Sequence, residues 1–264
     1  MSKTVAAVTG GSSGIGLQTA LALRERGCTV YELSRHGAGS EGIIHLTADV
    51  SDEKQVRDAI DEIVSREGRL DILVCNAGFG VSGAAEFTEN ADAKRLMDVN
   101  LFGAVNCCRA ACAHMRRQGG GRIICTSSVA APVAIPFQAW YSVSKAAVST
   151  YAAALRNEVR PFGISVCCVL PGDIRTGFTA AREKSAAGDD VYSGRIGRSV
   201  AVMEHDERTG MSPATAGRYI AGLAMKKYVK PQYAIGLKYK FFVMLARLLP
   251  CDLCGRLVYS IYAK

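Results

Sequence analysis

No Pro/Ser-rich spacer, charge block, low-complexity run or internal repeat divides this 264-residue chain. That excludes repeat arrays and leaves no visible linker, so one domain is expected although a prior of about 150 residues per domain hints at two. No apolar run approaches the ~18 residues of a membrane span. Phe241–Leu249 (FFVMLARLL), the most apolar stretch near the C-terminus, is too short. No charged n-region with an apolar h-region is present, because Met1–Thr9 leads straight into a strand; no secretory leader is expected. Cys251 and Cys254 form a CxxC without a second pair or a His cluster, so no metal site is expected.

What is present reads as an ordinary globule, with 49% hydrophobic and 21% charged residues. The ten cysteines sit mostly within apolar stretches, including Cys75, Cys107, Cys108, Cys112, Cys125, Cys167 and Cys168. They read as reduced thiols packed as small hydrophobes, which implies a reducing, cytoplasmic compartment. The net charge of +8 lies entirely in Ser212–Lys264, with nine Lys/Arg against Asp252 alone. No nucleic-acid module accompanies it, so nucleic acid is not an expected partner.

Strands and helices alternate. Strands are expected at Lys3–Thr9, Thr29–Leu33, Gly42–Thr47, Leu70–Cys75, Arg122–Thr126, Ile164–Val169 and Tyr233–Ile235. Helices are expected over Gly14–Arg26, from a Ser51 or Asp52 cap to Arg66, over Ala91–Arg117, over Gln138–Val159, and after Ser212-Pro213. The pattern predicts an α/β fold: a Rossmann-type, doubly wound parallel sheet of about seven strands with helices on both faces. Such a sheet binds ligands at the carboxyl ends of its strands.

Thr9-Gly10-Gly11-Ser12-Ser13-Gly14-Ile15-Gly16 falls between the first strand and the first helix. Glycines allow a tight turn and close backbone approach to a pyrophosphate, and the helix N-terminus supplies free N–H groups. The spacing is Gly-x-x-x-Gly-x-Gly, not GxGxxG. Tyr141 and Lys145 lie four apart, hence on one face of a helix. Ser128 lies 13 residues before Tyr141 at a strand end.

The loop resembles the TGxxxGxG motif of the short-chain dehydrogenase/reductase family. The rest of that family's pattern follows in order: Asp49, Asn76-Ala77-Gly78, Asn100, Ser128, Tyr141-x-x-x-Lys145, and Pro171-Gly172 with Thr176, so the resemblance covers roughly residues 3–176. It implies an oxidoreductase acting on carbonyl and alcohol groups, closest in flavour to hydroxysteroid and retinol dehydrogenases. Gly10, Ser12, Ser13, Gly14, Ile15 and Gly16 would hold the pyrophosphate. Asp49 would bond the adenine amino group and Val50 flank its ring. Asn76, Ala77 and Gly78 would floor the adenosine ribose, and Pro171, Gly172, Ile174 and Thr176 the nicotinamide end. Asn100 would bind a water near Lys145.

Tyr141 would be general acid in reduction and general base in oxidation. A phenol has a pKa of about 10, and an ammonium close by favours the phenolate. Lys145 is that ammonium and also bonds the nicotinamide ribose. Ser128, rather than adjacent Ser127, would hold the substrate oxygen. After the second strand, Ser34 is uncharged and Arg35 can fork onto a 2′-phosphate, which favours NADP(H); NAD(H) is the alternative should Glu32 reach the ribose.

Residues 1–176 are expected to form the cofactor-binding and catalytic core, 177–211 a mobile, glycine-rich substrate lid, and 212–264 a basic C-terminal segment. The apolar stretch Ala130–Trp140 points to a small apolar substrate, steroid-like or retinoid-like. A 3-oxoacyl thioester reductase, and more remotely a non-catalytic cofactor sensor, are the alternatives. The family implies a homodimer or homotetramer. The basic C-terminal segment either packs over the pocket or a subunit interface, or touches a membrane.

Overall fold

The computed structural model describes residues 3–37, 39–40 and 42–264. The first half runs β1 (Val5–Thr9), α1 (Gly14–Arg24), β2 (Thr29–Ser34), β3 (Ile43–Thr47), α2 (Glu53–Glu67), β4 (Ile72–Cys75), β5 (Val81–Ser82), α3 (Asn90–Met97), α4 (Gly103–Arg117) and β6 (Gly121–Thr126). The second runs α5 (Ala139–Val159), β7 (Ile164–Leu170), α6 (Phe178–Ala181), β8 (Glu183–Lys184), α7 (Arg195–Thr209), α8 (Pro213–Ala224), β9 (Gln232–Ala234), α9 (Leu237–Leu248) and α10 (Cys251–Tyr262).

Seven strands form one sheet in the order β3-β2-β1-β4-β6-β7-β9, every pair parallel. The central strands are apolar on both faces, as burial under two helical layers demands. One face packs α2, α4 and α5 through Ile60, Ile63, Cys107, Met115 and Val148. The other packs α1 and α8 through Ala20, Leu23, Ile220 and Leu223. The strand order reverses between β1 and β4, so the loops after both strands open a crevice there.

Local signals act as their chemistry dictates. Asp52 caps α2 by accepting from Gln55 N at 3.0 Å, and Gly68 closes it at φ +74. Ser212 caps α8, whose first residue is Pro213.

Two stretches carry detail beyond the sequence pattern. The chain is helical through Ala91–Arg117 as expected, with a π turn at Asp98–Phe102 between α3 and α4. Its Asn100 side chain turns inward to the Phe79 backbone, and Gly103 lies so close to Val50 that a Cβ would stand 2.6 Å from Cγ2. The glycine-rich stretch 177–211 is more regular than its composition implies. β8 pairs with β5, and α7 runs for 15 residues. Ion pairs Arg182–Glu207 and Lys184–Glu204 tie its two ends together, while Ile196 and Met203 bury against Phe137 and Ala84.

All ten cysteines are free. Folding gathers three that are distant in sequence: the Cys108 sulfur lies 3.9 Å from that of Cys75 and 4.0 Å from that of Cys125, inside the apolar layer. Cys251 and Cys254 stand apart on α10. No helix among the described residues is long and apolar enough to cross a membrane.

Candidate active site

A cleft of about 330 Å³ opens where the loops after β1, β4, β6 and β7 meet. The glycine loop forms one wall. Gly10 and Gly14 adopt φ +64 and +53, which side chains resist. A Cβ on Gly16 would stand 2.1 Å from the Gly10 carbonyl oxygen, and one on Gly10 3.0 Å from Ala77 Cα. The loop therefore folds tightly onto the β4 turn. Thr9 Oγ1 locks the two by accepting from Asn76 N at 3.0 Å and Ala77 N at 3.1 Å.

Ser13, which precedes α1, makes no side-chain cap, so the first N–H groups of α1 remain available to an anion. Among the sequence-predicted residues, Gly10, Ser12, Ser13, Gly14, Ile15, Asn76, Ala77 and Gly78 all line the cleft, as do Pro171, Gly172, Ile174 and Thr176 from the loop after β7. A Cβ on Gly14 would come within 3.5 Å of Thr176, so the two ends of the cleft nearly touch. Uncapped N–H groups beneath a cradle that only glycine fits suit a dinucleotide pyrophosphate.

Of the residues expected around adenosine, Ser34, Arg35, Asp49 and Val50 stand outside this cleft. Ser34 ends β2 and Arg35 follows it, exposed. Glu32, the alternative ribose contact, is 2% exposed and turned inward, where it pairs with His45 Nδ1 and accepts from Ser34 Oγ at 3.4 Å. Asp49 accepts from the Ser51 N and Oγ at 2.9 and 2.7 Å. Val50 is buried against Gly103, and its carbonyl accepts from Asn106 Nδ2 at 3.0 Å.

Ser128, Tyr141 and Lys145 converge at the other end of the cleft. Ser127 and Ser128 separate cleanly. The Ser127 hydroxyl donates to the Lys145 carbonyl at 2.7 Å and accepts from Ser149 at 2.9 Å. The Ser128 hydroxyl instead accepts from Ala130 N at 3.1 Å and stands close enough to Tyr141 to pull on its phenol. Lys145 is 5% exposed; its ammonium donates to the Thr126 carbonyl at 3.1 Å and lies 5.7 Å from the centre of the Tyr141 ring. Burial lowers Lys145 to about 8.

The expectation that Lys145 holds the phenol low is not met by the chain alone. Burial pushes Tyr141 up to about 12, against the pull of the Ser128 hydroxyl, and the nearby Glu207 and Asp173 carboxylates add to the rise. In the chain alone the phenol is therefore protonated near neutrality.

Asn100 sits behind the cleft, 2% exposed. Its Oδ1 accepts from Phe79 N and its Nδ2 donates to Phe79 O and Ser144 Oγ, each at 3.0 Å. A Cβ on Gly78 would stand 2.8 Å from Asn100 Oδ1 and 3.4 Å from Lys145 Nζ, so Asn100 abuts the lysine across that glycine. Its side-chain amide is held by the Phe79 backbone and Ser144, beside the lysine.

Sequence reasoning missed several residues of the site. Phe178 packs on Tyr141 at 5.6 Å between ring centres. Gln138, Asp173 and Glu207 also line the cleft. Asp173 accepts from Tyr239 Oη at 2.6 Å, Glu207 from Thr179 Oγ1 at 2.6 Å. Asp173 follows Pro171-Gly172 directly and was within reach of inspection; Glu207 lies on α7, where no motif marks it.

Known proteins agree with this geometry. The family model described as "short chain dehydrogenase" matches residues 4–187. A 3-ketodihydrosphingosine reductase of Bacteroides thetaiotaomicron is 40% identical over 230 residues, 86% of each chain. A short-chain dehydrogenase from Streptomyces avermitilis superposes with TM-score 0.81 at 27% identity, over 98% of this chain and 96% of that one. ElxO, solved with NADP bound, superposes with TM-score 0.75 at 27% identity, over 91% of this chain and 100% of that one. With its glycine cradle, its Ser128/Tyr141/Lys145 cluster and these likenesses, the chain belongs to the short-chain dehydrogenase/reductase family of nicotinamide-dependent oxidoreductases.

Proposed function

We propose that this protein is an NADPH-dependent reductase of a long-chain lipid ketone, with a substrate of the 3-ketodihydrosphingosine kind as the first to test. The observation that carries the reading is the Tyr141 phenol, beside the Ser128 hydroxyl and the buried Lys145, facing a cleft walled by Val129, Ile135, Phe178 and Ala181. When bound, the dinucleotide supplies the hydride that reaches the carbonyl carbon. Tyr141 delivers its proton to the carbonyl oxygen, Ser128 holds that oxygen, and Lys145 re-supplies positive charge beside the phenolate left behind.

Two features favour a lipid amino ketone over a 3-oxoacyl thioester or a steroid. The relative that is 40% identical is a reductase of such a compound. The Asp173 carboxylate at the cleft would attract an ammonium next to the ketone. The NADPH preference rests on Arg35, exposed and beside Ser34, and on the Glu32 carboxylate being engaged by His45 and Ser34. The single-domain division at 176 and 211, with 177–211 as the substrate lid, belongs to the same reading. So does assembly into a homodimer or homotetramer, favoured by Phe102 and Val143, exposed by 52% and 47% beside α4 and on α5. A lipid substrate also gives the basic C-terminal segment a reason to meet a membrane.

Nicotinamide absorbance, followed with NADPH and NADH against 3-ketodihydrosphingosine, a steroid ketone, retinal and an acetoacetyl thioester, tests the proposal. Fastest turnover of the sphingoid ketone with NADPH is expected. Turnover of the thioester alone would replace it with the acyl reductase reading.

A further inference from the structure

We propose that α9 and α10 together form a docking platform for an anionic lipid membrane, placing the substrate cleft at the lipid surface. α9 carries two apolar faces. Tyr239 and Val243 point inward and are buried. Leu237, Phe241, Met244 and Leu248 recur at spacings of four, three and four, which puts them on one stripe of a helix with about 3.6 residues per turn. That stripe faces outward: Leu237 is 83% and Leu248 72% exposed. By the same repeat, Lys240 and Arg247 flank the stripe on one side and Lys238 on the other, and all three are exposed. α10 has no buried residue, and Leu253, Leu257 and Ile261 form a second exposed row at spacings of four. Apolar stripes edged by cations are the pattern of a helix lying in a lipid interface.

The charge selects the occupant. From the start of α9 to the end of the chain, Lys238, Lys240, Arg247, Arg256 and Lys264 stand against one acid, Asp252. Two copies of this face would oppose like charges, whereas an anionic headgroup layer complements them. Both helices also stand on residues that border the cleft. Tyr239 fills the space that Gly172 leaves, where a Cβ would stand 2.2 Å from its ring, and donates to Asp173. Tyr262 and Ala263 pack with Ile135 and Phe137 and with Ile196 and Met203 of α7. The platform therefore adjoins the walls of the cleft. The platform does not depend on which ketone the cleft reduces.

Co-sedimentation of the full chain with phosphatidylglycerol/phosphatidylcholine vesicles, without substrate, tests this. The protein should pellet with these vesicles at low salt and stay in solution with phosphatidylcholine alone or at high salt. Phe241→Ser/Leu248→Ser and Lys238→Gln/Lys240→Gln should each lower partitioning at least about tenfold, given about fivefold per cation. Their circular-dichroism melts and light-scattering mass should match the parent. A parent that never pellets, or variants that pellet like it, would overturn the proposal. So would a parent that stays in solution while the variants lose oligomeric mass, which would assign the face to a second copy.

Discussion

The Lys145 ammonium donates to the Thr126 carbonyl at 3.1 Å, joining the catalytic helix α5 to the last residue of β6. The bond holds the amine in the interior, where burial brings it to about 8 from an ordinary 10.5. A lysine lowered on folding binds its proton less tightly in the folded chain than in the unfolded one. Its cost to stability is full below the folded value and vanishes above the unfolded one.

Lys145→Met should therefore be more stable than the parent at pH 7, by roughly 3 kcal/mol at most. The gap should close as pH rises from about 8 to 10.5. Urea unfolding at several pH values measures it. A gap independent of pH would mean the amine is not destabilised by burial. The same variant should lose turnover, which sets function against stability at this position.

Arg35→Ala should weaken NADPH binding about 10- to 100-fold, the worth of a charge-assisted phosphate contact, and leave NADH nearly untouched. Fluorescence titration with both cofactors reads the difference. Equal losses would remove Arg35 from the 2′-phosphate.

Gly16→Ala should abolish cofactor binding, because the new methyl would stand 2.1 Å from the Gly10 carbonyl and force the loop open. Gly222→Ala, in α8 with nothing within 4 Å, should bind cofactor normally and gain up to about 1 kcal/mol in stability. Comparable binding by both variants would contradict the cradle.

The sequence made legible whatever rests on short-range chemistry. The turn at Thr9–Gly16, the caps at Asp52 and Ser212, and the shared face of Tyr141 and Lys145 all depend on residues within a few positions of each other. The alternation of apolar runs likewise foretold a parallel, doubly covered sheet. What stayed hidden depends on pairing at a distance. Glu32 is buried against His45 because β2 and β3 pair in a register that sets the two opposite each other. Asp173 is held by Tyr239, 66 residues away, and Glu207 enters the site only because α7 folds back over α6. The π turn around Asn100 answers to Phe79 and Val50, neither of which its own helical pattern could reveal.

The central claim is that Tyr141 is the proton donor to a ketone in this cleft, and one comparison tests it most directly. NADPH consumption with 3-ketodihydrosphingosine would be measured for the parent and Tyr141→Phe, with NADPH binding to both titrated in parallel. A loss of turnover of about 10²- to 10⁴-fold, with binding unchanged, is the expected result. Turnover by the phenylalanine variant at the parent's rate would contradict the account.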